Sequence, residues 1–156
     1  EAIAKRAQAF GMKIRYHNRN KKDVPYAYDD SAVTLAKNSD VLLVITPGGP
    51  ETDKLVNAAV LDALGPQGYL VNVARGTVVD ELVLLRYLQE KKIAGAGLDV
   101  FEHEPKVPPE FFTLDNAVLT PHVASATNET RTAMGALQIE NLHLHFAGKP
   151  VKTAVV

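Results

Sequence analysis

Four residues far apart in the 156-residue chain carry reactive groups: Arg75 in VNVARGTVVDE, Asp99 and Glu104 in GLDVFEHEP, and His122 in LTPHVASAT. A guanidinium offers two parallel donors to a carboxylate, and an imidazole titrates near neutrality and can pass on a proton. A carboxylate beside that imidazole favours its charged form. Such a set can hold a 2-oxo acid by its carboxylate, polarise the carbonyl and protonate the alkoxide that develops on reduction. On this reading Arg75 binds substrate, His122 donates the proton and Glu104 keeps His122 loaded. Each residue also has a plainer reading. Arg75 can be a structural cation holding loop carbonyls, Glu104 a solvated loop acid, His122 a satisfied loop or core histidine, and Asp99 the cap of a turn. A further argument starts from Arg75 alone: a cation ending a buried apolar run costs solvation unless an anion meets it.

The elements that must position these groups alternate along the chain. EAIAKRAQAF reads as a helix stopped by Gly11, and MKIRY, Met12 to Tyr16, as a short strand followed by the polar loop HNRNKKD. Asp30 or Ser31 caps a helix running to about Asn38, and VLLVIT, Val41 to Thr46, is the continuous apolar run of a doubly buried parallel strand. PGGPET leads into a short helix, NAAVLDALG is a second helical piece ending on Gly65, and YLVNV, Tyr69 to Val73, is the next strand. An amphipathic helix over Asp80 to Lys91 follows, with Leu84, Leu85 and Leu88 on one side. IAGAGLDVF carries a strand whose small residues suit close packing, NAVLT is the last strand, and a helix from about Thr127 to Ala147 ends before Gly148 and Pro150.

Five strands alternating with helices predict an α/β fold, a parallel sheet with helices on both faces. In such sheets ligands lie outside the carboxyl ends of the strands. Arg19, Thr46, Arg75, Asp99, Glu104 and His122 all follow strands, so they are expected to converge on one edge. A dinucleotide site of this class begins with a first strand and a G-x-G-x-x-G turn. No such turn occurs in the chain; Gly48-Gly49 reads as a turn after a middle strand, and Gly95 to Gly97 as packing within one.

VNVARGTVVDE, GAGLDVFEHEP and LTPHVASAT resemble, in order and spacing, the signatures of the D-isomer-specific 2-hydroxyacid dehydrogenases, and more narrowly the plant hydroxypyruvate, glyoxylate and hydroxyphenylpyruvate reductases. The resemblance runs over essentially the whole chain. It implies a Rossmann-type doubly wound domain lacking its first strand and glycine-rich loop, with residues 1–147 as a partial NAD(P)-binding domain. Residues 148–156 are then a tail returning towards a substrate domain absent from this chain. It implies hydride transfer to a 2-oxo acid, with Arg75, Glu104 and His122 in the roles given above and no metal. Asp99 matches the aspartate near the nicotinamide carboxamide, and Val73, Ala74 and Ala124 match positions lining the nicotinamide pocket; Thr46 and Pro47 join them as cofactor-binding candidates. It also implies a homodimer.

Cofactor choice follows from the first loop. An acid after the second strand of the fold binds the ribose hydroxyls of NAD, whereas arginine accommodates the 2′-phosphate of NADP. The loop reads HNRNKK, with no acid before Asp23. Asn18, Arg19 and Lys22 are therefore expected to bind NADPH in preference to NADH, the alternative being a solvated basic loop.

Composition narrows the partners. Seventeen basic residues against 18 acidic ones give no field for nucleic acid or an anionic membrane, which leaves a small molecule as the expected ligand. The absence of cysteine excludes thiolate chemistry. With no apolar run of spanning length and no signal peptide, a cytoplasmic protein is expected. Two other functions fit the same scaffold: a nucleotide-sensing module of the corepressor type, and an inactive fragment of the reductase. Without the pyrophosphate anchor, this exact chain is expected to bind cofactor weakly and turn over little, and a fragment of a longer, active reductase is the simpler account of where it starts.

Overall fold

The structure, a computed structural model, describes residues 1–155 and divides into two compact units, Glu1–Thr120 and a second from Pro121 on. The first holds helix α1 (Ala2–Ala9), strands β1 (Arg15–Tyr16) and β2 (Ala27–Tyr28), helix α2 (Ala32–Lys37), strand β3 (Val41–Val44), helix α3 (Ala58–Leu64), strand β4 (Tyr69–Asn72), helix α4 (Glu81–Gln89), and strands β5 (Gly95–Leu98) and β6 (Ala117–Leu119). The second holds the long helix α5 (Asn128–Phe146). No helix among the described residues is long and apolar enough to cross a membrane.

Side-chain caps start the helices where the sequence places them. The side chains of Ser31, Asn57, Asp80 and Thr127 accept backbone N–H groups in the first turns of α2, α3, α4 and α5, satisfying donors that have no partner within the helix. Gly65, at φ 75°, ends α3 in a conformation that costs a side chain more than it costs glycine.

The strands differ from the expected single sheet of five. Strands β3, β4, β5 and β6 form one parallel sheet in that order, while β1 pairs in parallel with β2, a strand the sequence pattern did not reveal, in a separate two-stranded sheet. At two residues each, β1 and β2 are too short to show period-2 patterning. The order 3-2-1-4-5-6 of a doubly wound sheet explains the division: its strand 1 would lie between β1 and β3, and that strand is not among these residues.

Burial falls on one face of the four-stranded sheet. In register, Leu42, Leu70 and Ala96 align, as do Val44, Asn72 and Leu98, and all six are buried. The apolar ones share a core with Val60, Leu61 and Leu64 of α3 and Leu84, Leu85 and Leu88 of α4. The alternate positions Val41, Tyr69 and Val118 are 38%, 51% and 70% exposed, so VLLVIT, expected to be buried on both faces, is buried on one. Helices α1 and α5 bury none of their residues. Gly95 bears out close packing, since a Cβ there would sit 2.7 Å from Asn116 O; at Gly97 a Cβ would make ordinary contacts, so packing does not require that glycine.

Candidate active site

Asn72 ends β4 with its side chain on the buried face, 1% exposed. Its Nδ2 donates to Arg75 O at 3.1 Å and its Oδ1 accepts the Ala74 N–H at 3.0 Å, so one carboxamide folds the chain back at the strand end. Gly76 fixes the next step. A Cβ on it would lie 1.9 Å from the Phe101 carbonyl carbon, so only glycine lets the segment after β4 press against the segment after β5.

Between these constraints Arg75 has extended backbone and an exposed side chain. The expected desolvation of a buried cation therefore does not arise, and with it goes the argument that solvation alone demands an anion. The guanidinium Nη1 donates to Ala74 O at 2.6 Å, the only hydrogen bond of that side chain among the described residues. Its methylenes lie over Gly48, where a Cβ would be 2.8 Å from Arg75 Cγ. Most of its donors thus remain open to a ligand.

Thr46, Pro47, Val73, Ala74 and Arg75, all expected site residues, line one open cleft of about 650 Å³ together with Ile45 and Gly48. Thr46 Oγ1 is buried there without a hydrogen-bond partner among the described residues. Leaving such a hydroxyl unsatisfied costs about 1–3 kcal/mol, and a polar ligand atom in the cleft would relieve it. Together with the glycine that lets Arg75 close over the floor, this donor set fits part of a nicotinamide cofactor.

The acids lie on the segment after β5. Asp99 is 5% exposed; its Oδ1 accepts the Thr120 hydroxyl at 2.5 Å and its N–H donates to Asn72 O at 3.0 Å, tying three strand ends together. Glu104 is exposed, and its Oε1 accepts the Phe101 N–H at 2.9 Å. The adjacent Glu102 N–H donates to Glu81 Oε2 at 2.9 Å. Glu81 is 7% exposed on the first turn of α4, and burial pushes its carboxyl above the ordinary value. The Glu102 N–H and His103 oppose that shift, and the charges of Glu102 and Glu104 add to it.

The basic loop after β1 is held by two tyrosines. Tyr16 OH donates to Lys22 O at 2.8 Å and accepts the Lys22 N–H at 2.9 Å, and Tyr28 OH donates to Asn18 O at 3.1 Å. Asn18 Nδ2 spends a donor on Asn20 O at 3.2 Å. Arg19 projects from this loop and pairs with Glu51, on the turn Pro50–Thr52 after β3. The loop itself has no early acid, but the fold supplies one from elsewhere.

His122 and Ala124 belong to the second unit. His122 holds a left-handed backbone at φ 54°, a conformation uncommon outside glycine and one in which histidine is enriched. The first unit thus gathers Thr46, Pro47, Val73, Ala74 and Arg75 at one cleft, with Arg19, Asp99 and Glu104 on flanking strand-end segments. Reading the sequence missed Asn72, Glu81 and Glu51. Asn72 left a signal as the one polar residue within YLVNV; Glu81 and Glu51 read as ordinary acids in first turns.

A parallel sheet with a polar cleft at the carboxyl ends of its strands defines a dinucleotide-binding domain of the doubly wound class. The sequence profile described as "D-isomer specific 2-hydroxyacid dehydrogenase, NAD binding domain" matches residues 1–124, and the chain belongs to that family. It is 52% identical over 156 residues to hydroxyphenylpyruvate reductase of Plectranthus scutellarioides, covering 99% of this chain and 50% of the relative. To glyoxylate/hydroxypyruvate reductase A of Arabidopsis thaliana it is 51% identical, again over 99% of this chain and 50% of the relative. Among solved structures, the NADPH-dependent glyoxylate/hydroxypyruvate reductase of Sinorhizobium meliloti, in complex with NADP and malonate, superimposes with a TM-score of 0.96 at 48% identity, covering 99% of this chain and 49% of that one. The chain spans about half the length of these relatives.

Proposed function

We propose that the full-length protein reduces a 2-oxo acid of the glyoxylate, hydroxypyruvate or hydroxyphenylpyruvate type to the D-2-hydroxy acid, with NADPH preferred over NADH. The observation that carries this is Arg75, exposed at a cleft beside the unpartnered Thr46 hydroxyl with most of its donors open. The names of the relatives supply the substrate class. Asn18, Arg19 and Lys22 would hold the adenosine 2′-phosphate; Thr46, Pro47, Val73, Ala74, Asp99 and Ala124 would hold the nicotinamide half. Bound there, the reduced nicotinamide supplies the hydride.

The protein's own groups do the rest. Arg75 takes the substrate carboxylate in a two-point contact and draws charge towards the carbonyl oxygen. His122 is the proton donor to that oxygen, with Glu104 as the acid paired with it in this reading. The same reading has residues 148–156 return to a separate substrate domain, and it expects a homodimer working in the cytoplasm.

The test is steady-state kinetics of the purified full-length protein with glyoxylate, hydroxypyruvate and hydroxyphenylpyruvate, with each cofactor. Arg75→Ala is expected to lower kcat/KM by about 10²–10³-fold, the range seen when one group stabilising developing charge is removed. A wild-type protein that binds cofactor yet reduces none of the three acids would overturn the proposal.

A further inference from the structure

Arg19 and Glu51 come from different strands' ends, one from the basic loop after β1 and the other from the turn after β3. Both side chains are about three-quarters exposed, so the ion pair is not forced by burial. Glu51 is nonetheless well presented. The Thr52 hydroxyl donates to Pro47 O at 2.7 Å and to Gly49 O at 3.2 Å, and Gly49, at φ 143°, allows the turn that aims Glu51 back across the strand ends. The loop on the other side is anchored through Tyr16 and Tyr28. The pair thus joins two held segments, one of them contiguous with the cleft-lining Pro47 and Gly48.

We infer that Glu51 is a specificity-determining residue: its carboxylate holds the Arg19 guanidinium when the cofactor brings only ribose hydroxyls and yields it when the cofactor brings a 2′-phosphate. The inference rests on the reading of Arg19 as a phosphate ligand. A phosphate monoester carries between one and two negative charges at neutral pH and offers three acceptor oxygens, so it displaces a single carboxylate from the guanidinium. With NADH bound, Arg19 keeps a partner, and the cation is not left facing a neutral ribose. Glu51 therefore tempers the preference for NADPH. An exposed pair contributes little on its own and is screened by salt, which sets the scale of the effect at a few-fold.

The experiment is calorimetric titration of the full-length protein with NADP+ and with NAD+, for wild type, Glu51→Gln, Arg19→Ala and the double variant. Glu51→Gln is expected to tighten NADP+ binding by about two- to fivefold, to leave NAD+ unchanged, and to lose the gain at high salt. In the Arg19→Ala background the same change should have no effect on either ligand. If Arg19→Ala selectively weakens NADP+ but Glu51→Gln alters neither affinity, the Glu51 assignment falls and the phosphate reading stands. A Glu51→Gln gain that persists without Arg19 also overturns the assignment, because the carboxylate would then act directly on the phosphate. Equal loss of both ligands in Arg19→Ala overturns the phosphate reading, and the inference with it.

Discussion

The carboxamide of Asn72 meets two backbone groups of opposite polarity, accepting from Ala74 N–H and donating to Arg75 O. An amide presents a donor and an acceptor on separate atoms, so Arg75 owes its backbone placement to a neighbour with no chemical role. Asn72→Ala should cost about 2 kcal/mol in stability, because a buried amide N–H and a carbonyl lose their partner. It should also lower kcat/KM for the 2-oxo acid by about 10²-fold, the effect of misplacing a reacting group by about an ångström. Asn72→Asp keeps the acceptor but sets a buried carboxyl against the Arg75 carbonyl, and should destabilise at least as much. Denaturant melts and kinetics of both variants check this; unchanged kinetics in a destabilised Asn72→Ala would mean that Arg75 is held by Gly76 and Gly48 alone. Arg75 stood out in the sequence as a charge ending an apolar run, but its side chain is exposed, so burial does not call for a partner there. Asn72 carries the same kind of signal three residues earlier, but the answer is backbone, and a sequence does not distinguish a polar group satisfied by its own turn from one awaiting a ligand.

Helix α4 shows how an element contributes beyond its core face. Its apolar side was readable from the spacing of Leu84, Leu85 and Leu88, and its start from Asp80, whose side chain accepts the Val83 N–H. Glu81 was not readable, because first-turn acids are favoured by the helix dipole whether or not they touch anything else. Here it accepts the Glu102 N–H and so ties the head of α4 to the segment carrying Glu104. Its folded carboxyl titrates above the ordinary value because of burial. A raised folded value contributes stability fully present below the unfolded value, about 4.3, and lost as pH rises through the folded one. Glu81→Gln, which retains an acceptor and carries no charge, should therefore gain on wild type between pH 4 and pH 7. Glu81→Ala should lose about 1–3 kcal/mol at either pH, from the unpaired Glu102 N–H. Thermal melts at the two pH values decide it; a Glu81→Gln variant that loses ground as pH rises would show that the charge itself stabilises the loop.

At the scale of the molecule, the question is what joins two sheets that share no strand. The alternation of elements predicted parallel pairing and ligand-side strand ends, but pattern alone does not rank strands across a sheet, so the division after β2 was not visible. The connection runs through Asp29. Its carboxylate, 2% exposed, accepts Arg15 Nε at 2.8 Å and Nη2 at 2.7 Å from β1, and Asn38 Nδ2 at 2.8 Å from the end of α2. Helix α2 in turn packs on α3, which covers the larger sheet. The Arg15 guanidinium holds the Asp29 carboxyl below its ordinary value, burial opposes this, and the Asn38 amide adds to the lowering. A lowered folded value contributes stability present above the unfolded value, about 3.9, and lost as pH falls through the folded one. Asp29→Asn should therefore loosen the small sheet at neutral pH by about 1.5–3 kcal/mol, the worth of hydrogen bonds to a charged group. In hydrogen exchange, protection should fall at Arg15 to Tyr28 by about tenfold or more and hold across β3 to β6. The difference in melting temperature between wild type and Asp29→Asn should shrink as pH drops below about 3.9, because wild type then loses the same charge. Equal loss of protection across both sheets would mean that they unfold as one body, with Asp29 no more than a part of its common core.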